Sequence, residues 1–399
     1  MLQLALMLTL LQQFVVMNER PYAMIRGLLY CLFGLIALIS VFMHGIAIPR
    51  QLCGFIALTY VAEWCLLLYA LVTPSITLSD LFELPIPVVL TWCAYSIPMP
   101  EKKQRSMLTK YIILALLLGT TLVAVFGNGF SITDTYFLSS KNEIGPMLAN
   151  AALAAVVLAK TERTKRGLLY YAASIWLLII VTILRARATM IALLIVMLLL
   201  LPRSVLTLRR AAIPIGLVLL ILAAASAGLL DRPIALFWDS LTRNKEITDI
   251  NDLTSGRWVV YREAIAGLGQ SPLFGSLAAP IELSGTPHNY ALNKMVRFGL
   301  LGALPMLAIY AGCWAFALPR VFVLSRGIQV KDAGLYLLTF SLITSLAEYS
   351  YPFGPGATHA LVWVILGIHV KNTQKKRASG ARGQARRDSP PPFHRETTR

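Results

Sequence analysis

The sequence predicts an all-α polytopic membrane protein of about twelve transmembrane helices with one large outer loop carrying short helices. Three observations predict it. Of 399 residues, 57% are hydrophobic and only 14% charged, where a soluble chain would have about a quarter charged. Apolar runs approaching the ~20 residues of a bilayer crossing recur from one end to the other. The basic residues cluster in the short segments between those runs, which is how topology is encoded. The net charge of +17 therefore speaks for membrane placement and against nucleic acid as a partner.

The apolar runs fall at 2–17, 27–47, 52–73, 81–97, 107–127, 144–159, 167–184, 188–201, 211–230, 298–319, 334–348 and 356–370. The first lacks the basic leader and small-residue cleavage site of a signal peptide, so it reads as a span. The fourth is interrupted by Pro85 and Pro87. EKKQR precedes the fifth, KTERTKR separates the sixth from the seventh, and the hairpin LRARATM joins the seventh to the eighth with no room for a loop. PRSVLTLRR leads into the ninth, and PRVFVLSRGIQVK divides the tenth from the eleventh. With this threading two-thirds of the 36 lysines and arginines share one side with both termini, and the positive-inside rule makes that side cytoplasmic. The chain thus divides into helices over 1–230, an outer loop over 231–297, further helices over 298–370 and a tail over 371–399. The tail, basic and rich in Pro, Gly and Ser, predicts a disordered cytoplasmic anchor that can also meet anionic lipid. The outer loop, too small for a stable domain of its own, is expected to lie on the membrane helices as a lid. No internal repeat of the transporter kind is evident.

Cys31, Cys53, Cys65, Cys93 and Cys313 all fall within apolar runs and read as small buried hydrophobes, not disulfides or metal ligands. His44, His359, His369 and His394 are scattered over other segments, which gives no metal-ligand spacing. Glu63, inside YVAEWCLL, is the carboxylate placed well within a span. It can line a cavity or take part in a buried pair.

The outward arginines carry more information. Arg185 and Arg187 lie in the LRARATM hairpin, Arg257 and Arg262 in SGRWVVYREAI, and Arg297 in MVRFG. A guanidinium at that depth needs a partner or a wet cavity, and its planar fork suits phosphate oxygens. The competing reading is that they pair with Glu263, Glu246, Asp249 or Asp252, or snorkel to lipid phosphates. His288 stands in TPHNYALNKMVRFGLLG. Thr286 can cap a helix and Pro287 suits its first position, which would put His288 in the first turn. The positive end of the helix dipole disfavours an imidazolium there, and a neutral imidazole is what a general base needs. Trp238, Trp258, Tyr261 and Tyr290 in the same segment suit either sugar stacking or interface anchoring.

His288-Asn289, then Gly299 and Gly302 at the same intervals, resembles the signature of the bacterial O-antigen ligases and their relatives, the O-antigen polymerases and protein O-oligosaccharyltransferases. ARATMIALLIV, with Arg187, is similar to the family's Ser-Arg-Gly segment at the head of a membrane helix, although Ala186 and Ala188 replace Ser and Gly. Thr254-Ser255-Gly256-Arg257, with Tyr261 and Glu263, looks like its Ser-Gly-Arg segment. Where many relatives have an acidic residue two before the first glycine, this chain has Arg297. The resemblance covers mainly residues 180 to 302. It implies a glycosyltransferase C-like membrane fold and transfer of a glycan from undecaprenyl diphosphate to a sugar hydroxyl of lipid A–core, at the periplasmic face of a Gram-negative inner membrane, with no metal ion and no other cofactor. It assigns Arg187 and Arg257 to the diphosphate and His288 to the acceptor proton. Arg185, Arg262, Arg297, Asn289 and Tyr261 become substrate-binding candidates, Arg297 as a phosphate contact and Asn289 as a residue that orients the imidazole or binds sugar. A polymerase would extend glycan on its lipid carrier. A protein-modifying relative would carry extra C-terminal domains. A flippase for an anionic lipid is the reading from a different class.

Overall fold

The computed structural model describes residues 1–14, 19–45, 48–72, 76–126, 141–162, 164–184, 186–200, 251, 254, 256–278, 280–324, 328–354 and 357–387. The expected span at 211–230, Arg185 and the outer loop from 231 to 250 lie outside the described residues, as do Trp238, Glu246, Asp249 and Asp252. Helix makes up 83% of the chain described, with no strand among the described residues. In order the helices are α1 (Leu2–Phe14), α2 (Glu19–His44), α3 (Arg50–Val72), α4 (Leu78–Phe82), α5 (Pro85–Ser96), α6 (Glu101–Phe126), α7 (Lys141–Thr161), α8 (Arg166–Ile183), α9 (Arg187–Leu200), α10 (Arg257–Gln270), α11 (Tyr290–Leu324), α12 (Ala333–Thr344) and α13 (Ala357–Arg387). Leu52–Leu71, Glu101–Ala124, Glu143–Thr161, Arg166–Ile183 and Tyr290–Phe322 are each long and apolar enough to cross a membrane, and Leu2–Gln12, Gly27–Met43 and Arg187–Leu200 are shorter apolar helices. The protein is a membrane-embedded helical bundle.

Helix α7 forms its centre. Its membrane stretch is 89% buried, and Ala149, Ala151, Ala152, Ala154 and Ala155 are inaccessible to solvent. Small side chains let α6, α8, α9 and α12 close around it. On α3 and α8 the reverse holds, with Leu67, Leu68, Leu71, Leu168, Leu169 and Ile175 facing outward. Apolar outer faces of this kind are solvated by lipid.

Two elements depart from the sequence expectation. The apolar run at 81–97 is two helices, because the Thr77 N–H and hydroxyl both donate to Asp80 Oδ2 (2.9 and 2.7 Å), closing α4 with a capping box, and Pro85 then opens α5. Of the tail expected to be disordered, residues 371–387 instead continue α13, and 388–399 lie outside the described residues. The Lys, Gln, Arg and Ala of 371–387 are good helix formers, and the nearest proline is Pro390.

The polar contacts gather at two ends of the bundle. At one end Gln104 donates to the Val330 carbonyl (3.1 Å), Arg105 pairs with Glu162 (3.1 Å) and Lys371 donates to the Ser96 carbonyl (2.9 Å). The other end holds Asp80, Glu83, α10, the start of α11 and the turn after α12, and all the described candidate residues belong to it.

Candidate active site

Helix α11 starts at Tyr290, with Asn289 as its cap. The Asn289 side-chain oxygen accepts the Leu292 N–H (3.0 Å), and its amide donates to the Leu346 carbonyl (3.2 Å). This corrects the expected Thr286 cap: an asparagine three residues before an orphan N–H supplies the bond itself. His288 therefore precedes the helix and sits in the segment leading to it. The Tyr290 N–H donates to the Ser345 carbonyl (3.0 Å), so the start of α11 is stapled to the turn that follows α12.

That turn, residues 345–354, carries the residue that organises the site. Glu348 is 7% exposed. Its Oε1 accepts from Arg257 Nη2 at 2.7 Å, while its Oε2 lies 3.1 Å from His288 Nδ1. A second Arg257 nitrogen donates to the Ala347 carbonyl. One carboxylate thus holds Arg257 and His288, two of the three residues to which the resemblance assigns the chemistry. Because a carboxylate only accepts, its contact puts the proton on Nδ1 and leaves the lone pair on Nε2. The turn is itself clamped: Tyr351 and Phe353 are buried, Phe353 stacks on Trp363 (5.6 Å, 19°), and the Trp363 indole donates to the Pro352 carbonyl (3.1 Å).

Arg257 is the first residue of α10, after Gly256 in the left-handed region (φ 85°). One helical turn on, Tyr261 is half-buried on the same face. Burial pushes its phenol up, the Arg257 charge opposes this and the Glu348 charge adds to it. Arg262 lies five residues from Arg257, a rotation of about 140°, and is exposed. The structure does not bring it to Glu348. Glu263, an expected partner for the arginines, accepts the Ser284 N–H and hydroxyl (2.8 and 2.7 Å). Those two donors, with a smaller contribution from the Arg262 charge, hold its carboxyl below the usual range.

Arg297 is matched by Asp80, with Nη1–Oδ1 at 2.5 Å and Nη2–Oδ2 at 2.8 Å. Burial works against ionisation of Asp80, but the Arg297 fork and the Thr77 donors outweigh it and hold the carboxyl at about 2. One turn earlier on α11, Lys294 pairs with Glu83, both nearly buried. Glu63 faces Glu83, so its ionisable neighbour there is a carboxylate that Lys294 already binds. Arg187 opens α9 at this same end of the bundle, half-buried. Just before it, Ala186 meets α7 so closely that a Cβ on Gly145 would lie 2.7 Å from its own. Tyr290 is fully buried against Tyr310 and Phe353. That removes it as a sugar-stacking residue, whereas Trp258 is exposed.

The two motif glycines have separate jobs. Gly299 interrupts α11 with φ 63° and ψ −179°, which frees the Leu300 and Leu301 N–H groups to donate to the Pro272 and Leu273 carbonyls (2.9 and 3.2 Å). A Cβ there would fall 2.2 Å from the Leu273 carbonyl oxygen. Gly302 admits Tyr69, whose hydroxyl donates to the Phe298 carbonyl (3.0 Å). The first glycine thus docks the turn after α10 onto α11, tethering the helix that carries Arg257 to the helix that follows His288. Among the described residues, no group of three or more His, Cys, Asp or Glu is disposed to hold a metal ion. A cavity of about 280 Å³ between α3, α5, α11, α12 and α13 is lined by apolar residues such as Phe55, Leu338 and Trp363, and neither His288 nor the site arginines line it.

No protein-family model matches the chain, and no curated protein matches it.

Proposed function

We propose that this protein is a membrane glycan transferase of the O-antigen ligase type. It moves a polysaccharide from undecaprenyl diphosphate to a sugar hydroxyl of lipid A–core oligosaccharide, at the periplasmic face of the inner membrane, in lipopolysaccharide biosynthesis. The observation that carries this reading is the bridge from Arg257 through Glu348 to His288 at 2.7 and 3.1 Å, which joins two motifs 31 residues apart that the resemblance nominates separately. The same reading places about twelve spans, both termini in the cytoplasm and the loop before α11 in the periplasm.

The chemistry follows from the residues. His288 Nε2 accepts the proton of the acceptor hydroxyl as that oxygen bonds to the anomeric carbon. The bond from that carbon to the diphosphate breaks in the same displacement, and its electron pair leaves with the lipid diphosphate. Glu348 holds the imidazole in the tautomer that leaves Nε2 free, and its charge stabilises the imidazolium that forms. Arg257 and Arg187 meet the growing negative charge on the leaving diphosphate, work that metal ions do in other transferases. Asn289 acts as a cap that fixes the imidazole's place in the chain.

The test is to incubate purified protein with an undecaprenyl-diphosphate glycan and lipid A–core, beside His288→Ala, and resolve the products on a gel. Glycan on lipid A–core with wild type, reduced about 10²–10⁴-fold in the variant, supports the reading. Longer glycan still on its carrier makes the protein a polymerase. Equal transfer by the variant removes His288 as the base, and lipid movement across liposomes without product makes the protein a flippase.

A further inference from the structure

The bridge leaves one face of His288 unexplained, and a different set of residues occupies it. Tyr349 follows Glu348 on the same clamped turn and is 41% exposed. Its ring meets the His288 ring edge-on, with centroids 5.9 Å apart and planes at 63°. Beyond it Tyr349 lies within electrostatic range of Arg297, whose side chain is one-third exposed while its Asp80 partner is nearly buried. Both arginines are therefore ion-paired, but unlike each other: Arg257 shares its carboxylate, Glu348, with His288, whereas Arg297, near the Tyr349 ring, has Asp80 to itself.

This asymmetry matters for the assignment of substrates. A diphosphate is drawn to net positive charge: Asp80 takes both terminal nitrogens of Arg297 and cancels its charge, whereas the one carboxylate of Glu348 serves both Arg257 and His288, so that set turns net positive as His288 takes the acceptor proton. What Arg297 still offers is hydrogen-bond donors beyond the two that Asp80 uses, which suit neutral hydroxyls. An exposed ring next to such donors has a flat apolar face on which the C–H face of a pyranose can lie. Resting on the glycan-transfer reading, we infer that Tyr349 is the platform for the acceptor sugar, placing its hydroxyl at His288 Nε2 while Arg297 binds neighbouring hydroxyls. The donor diphosphate occupies the Arg257 side. Arg297 thereby moves from the phosphate contacts, where its charge alone would put it, to the acceptor subsite.

Steady-state transfer by the full chain in detergent tests this, varying lipid A–core and the undecaprenyl-diphosphate glycan in turn. Tyr349→Ala is expected to raise the acceptor KM about tenfold, the scale of one aromatic contact, and to leave the donor KM unchanged. Tyr349→Phe keeps the ring and is expected to behave as wild type. Tyr349→Ala removes the ring contact with His288, and an unchanged kcat and unchanged helicity show that the histidine and the fold stay in place. An acceptor KM that stays at the wild-type value in Tyr349→Ala, as for a simple membrane-interface anchor, overturns the platform. So does a rise in the donor KM instead. A wild-type protein that makes no product with lipid A–core removes the transferase reading and the platform together, whereas transfer by wild type with an unaffected Tyr349→Ala removes the platform alone.

Discussion

Glu348 was invisible in the sequence for a reason that is physical. A single carboxylate in LITSLAEYSYPFG, 60 residues from His288, has no periodicity or spacing to mark it, and only folding brings it to the histidine and the arginine. The arginines and His288 could be read because their cost at a membrane interface, or the resemblance, singles them out. Asp80 was equally silent, being 217 residues from Arg297. Two predictions belong at this scale. Glu348→Gln keeps the shape but loses the charge that supports the imidazolium, so kcat should fall by about 10²-fold or more. The double variant with His288→Ala should fall no lower than His288→Ala alone, since groups acting as a unit are not additive. Multiplied losses would mean that Glu348 acts apart from His288. For Asp80, the folded value of about 2 lies below the ordinary 3.8. A depressed carboxyl contributes stability above its unfolded value and loses it as pH falls through the folded one. The Tm gap between wild type and Asp80→Asn should therefore be full at neutral pH and shrink between about pH 4 and pH 2. A gap independent of pH would show that the pair contributes nothing through ionisation.

At the scale of elements, the helices were legible wherever the bilayer demanded an apolar run, while their ends and interruptions were not. The start of α11 was misplaced because Thr286, Pro287 and Asn289 are all credible near a helix N-terminus; the contact of Asn289 with the Leu346 carbonyl, far away in sequence, decides for Asn289. The Gly299 break was marked only as a motif glycine, since its partner is the backbone of residues 272–274. At φ 63° and ψ −179° any side chain is strained, at a cost of about 1–3 kcal/mol. Gly299→Ala must also displace the Leu273 carbonyl, so it should lower Tm and expose the turn after α10 to protease. Gly302→Ala meets the far end of the Tyr69 side chain at 2.7 Å, which can swing away, and should cost less. Wild-type Tm and protease resistance in Gly299→Ala would mean that the turn is not held by this break.

At the scale of the molecule, two independent patterns agree. Charge places EKKQR, KTERTKR and the segment ending in Lys331 on one side of the membrane. Packing gathers Arg105, Glu162, Val330 and Lys371 at one end of the bundle and Asp80, Arg257, His288 and Glu348 at the other. Neither pattern was needed to derive the other: one is the distribution of lysine and arginine, the other the contacts of carbonyls and carboxylates. The threading therefore makes a sharp prediction. In a cysteine-free background, Glu282→Cys, on the segment that leads to His288, should react with a membrane-impermeant maleimide in intact spheroplasts. Lys165→Cys at the opposite end should react only after the membrane is opened. Both residues are exposed. Labelling of the two from the same side would break the alternation of spans between them, and with it the place of the residues from 201 to 250. The inverse pattern would keep the bundle but put His288 in the cytoplasm, away from a periplasmic lipid A–core, and the transfer reading would fail on geography while every distance in the site stayed the same.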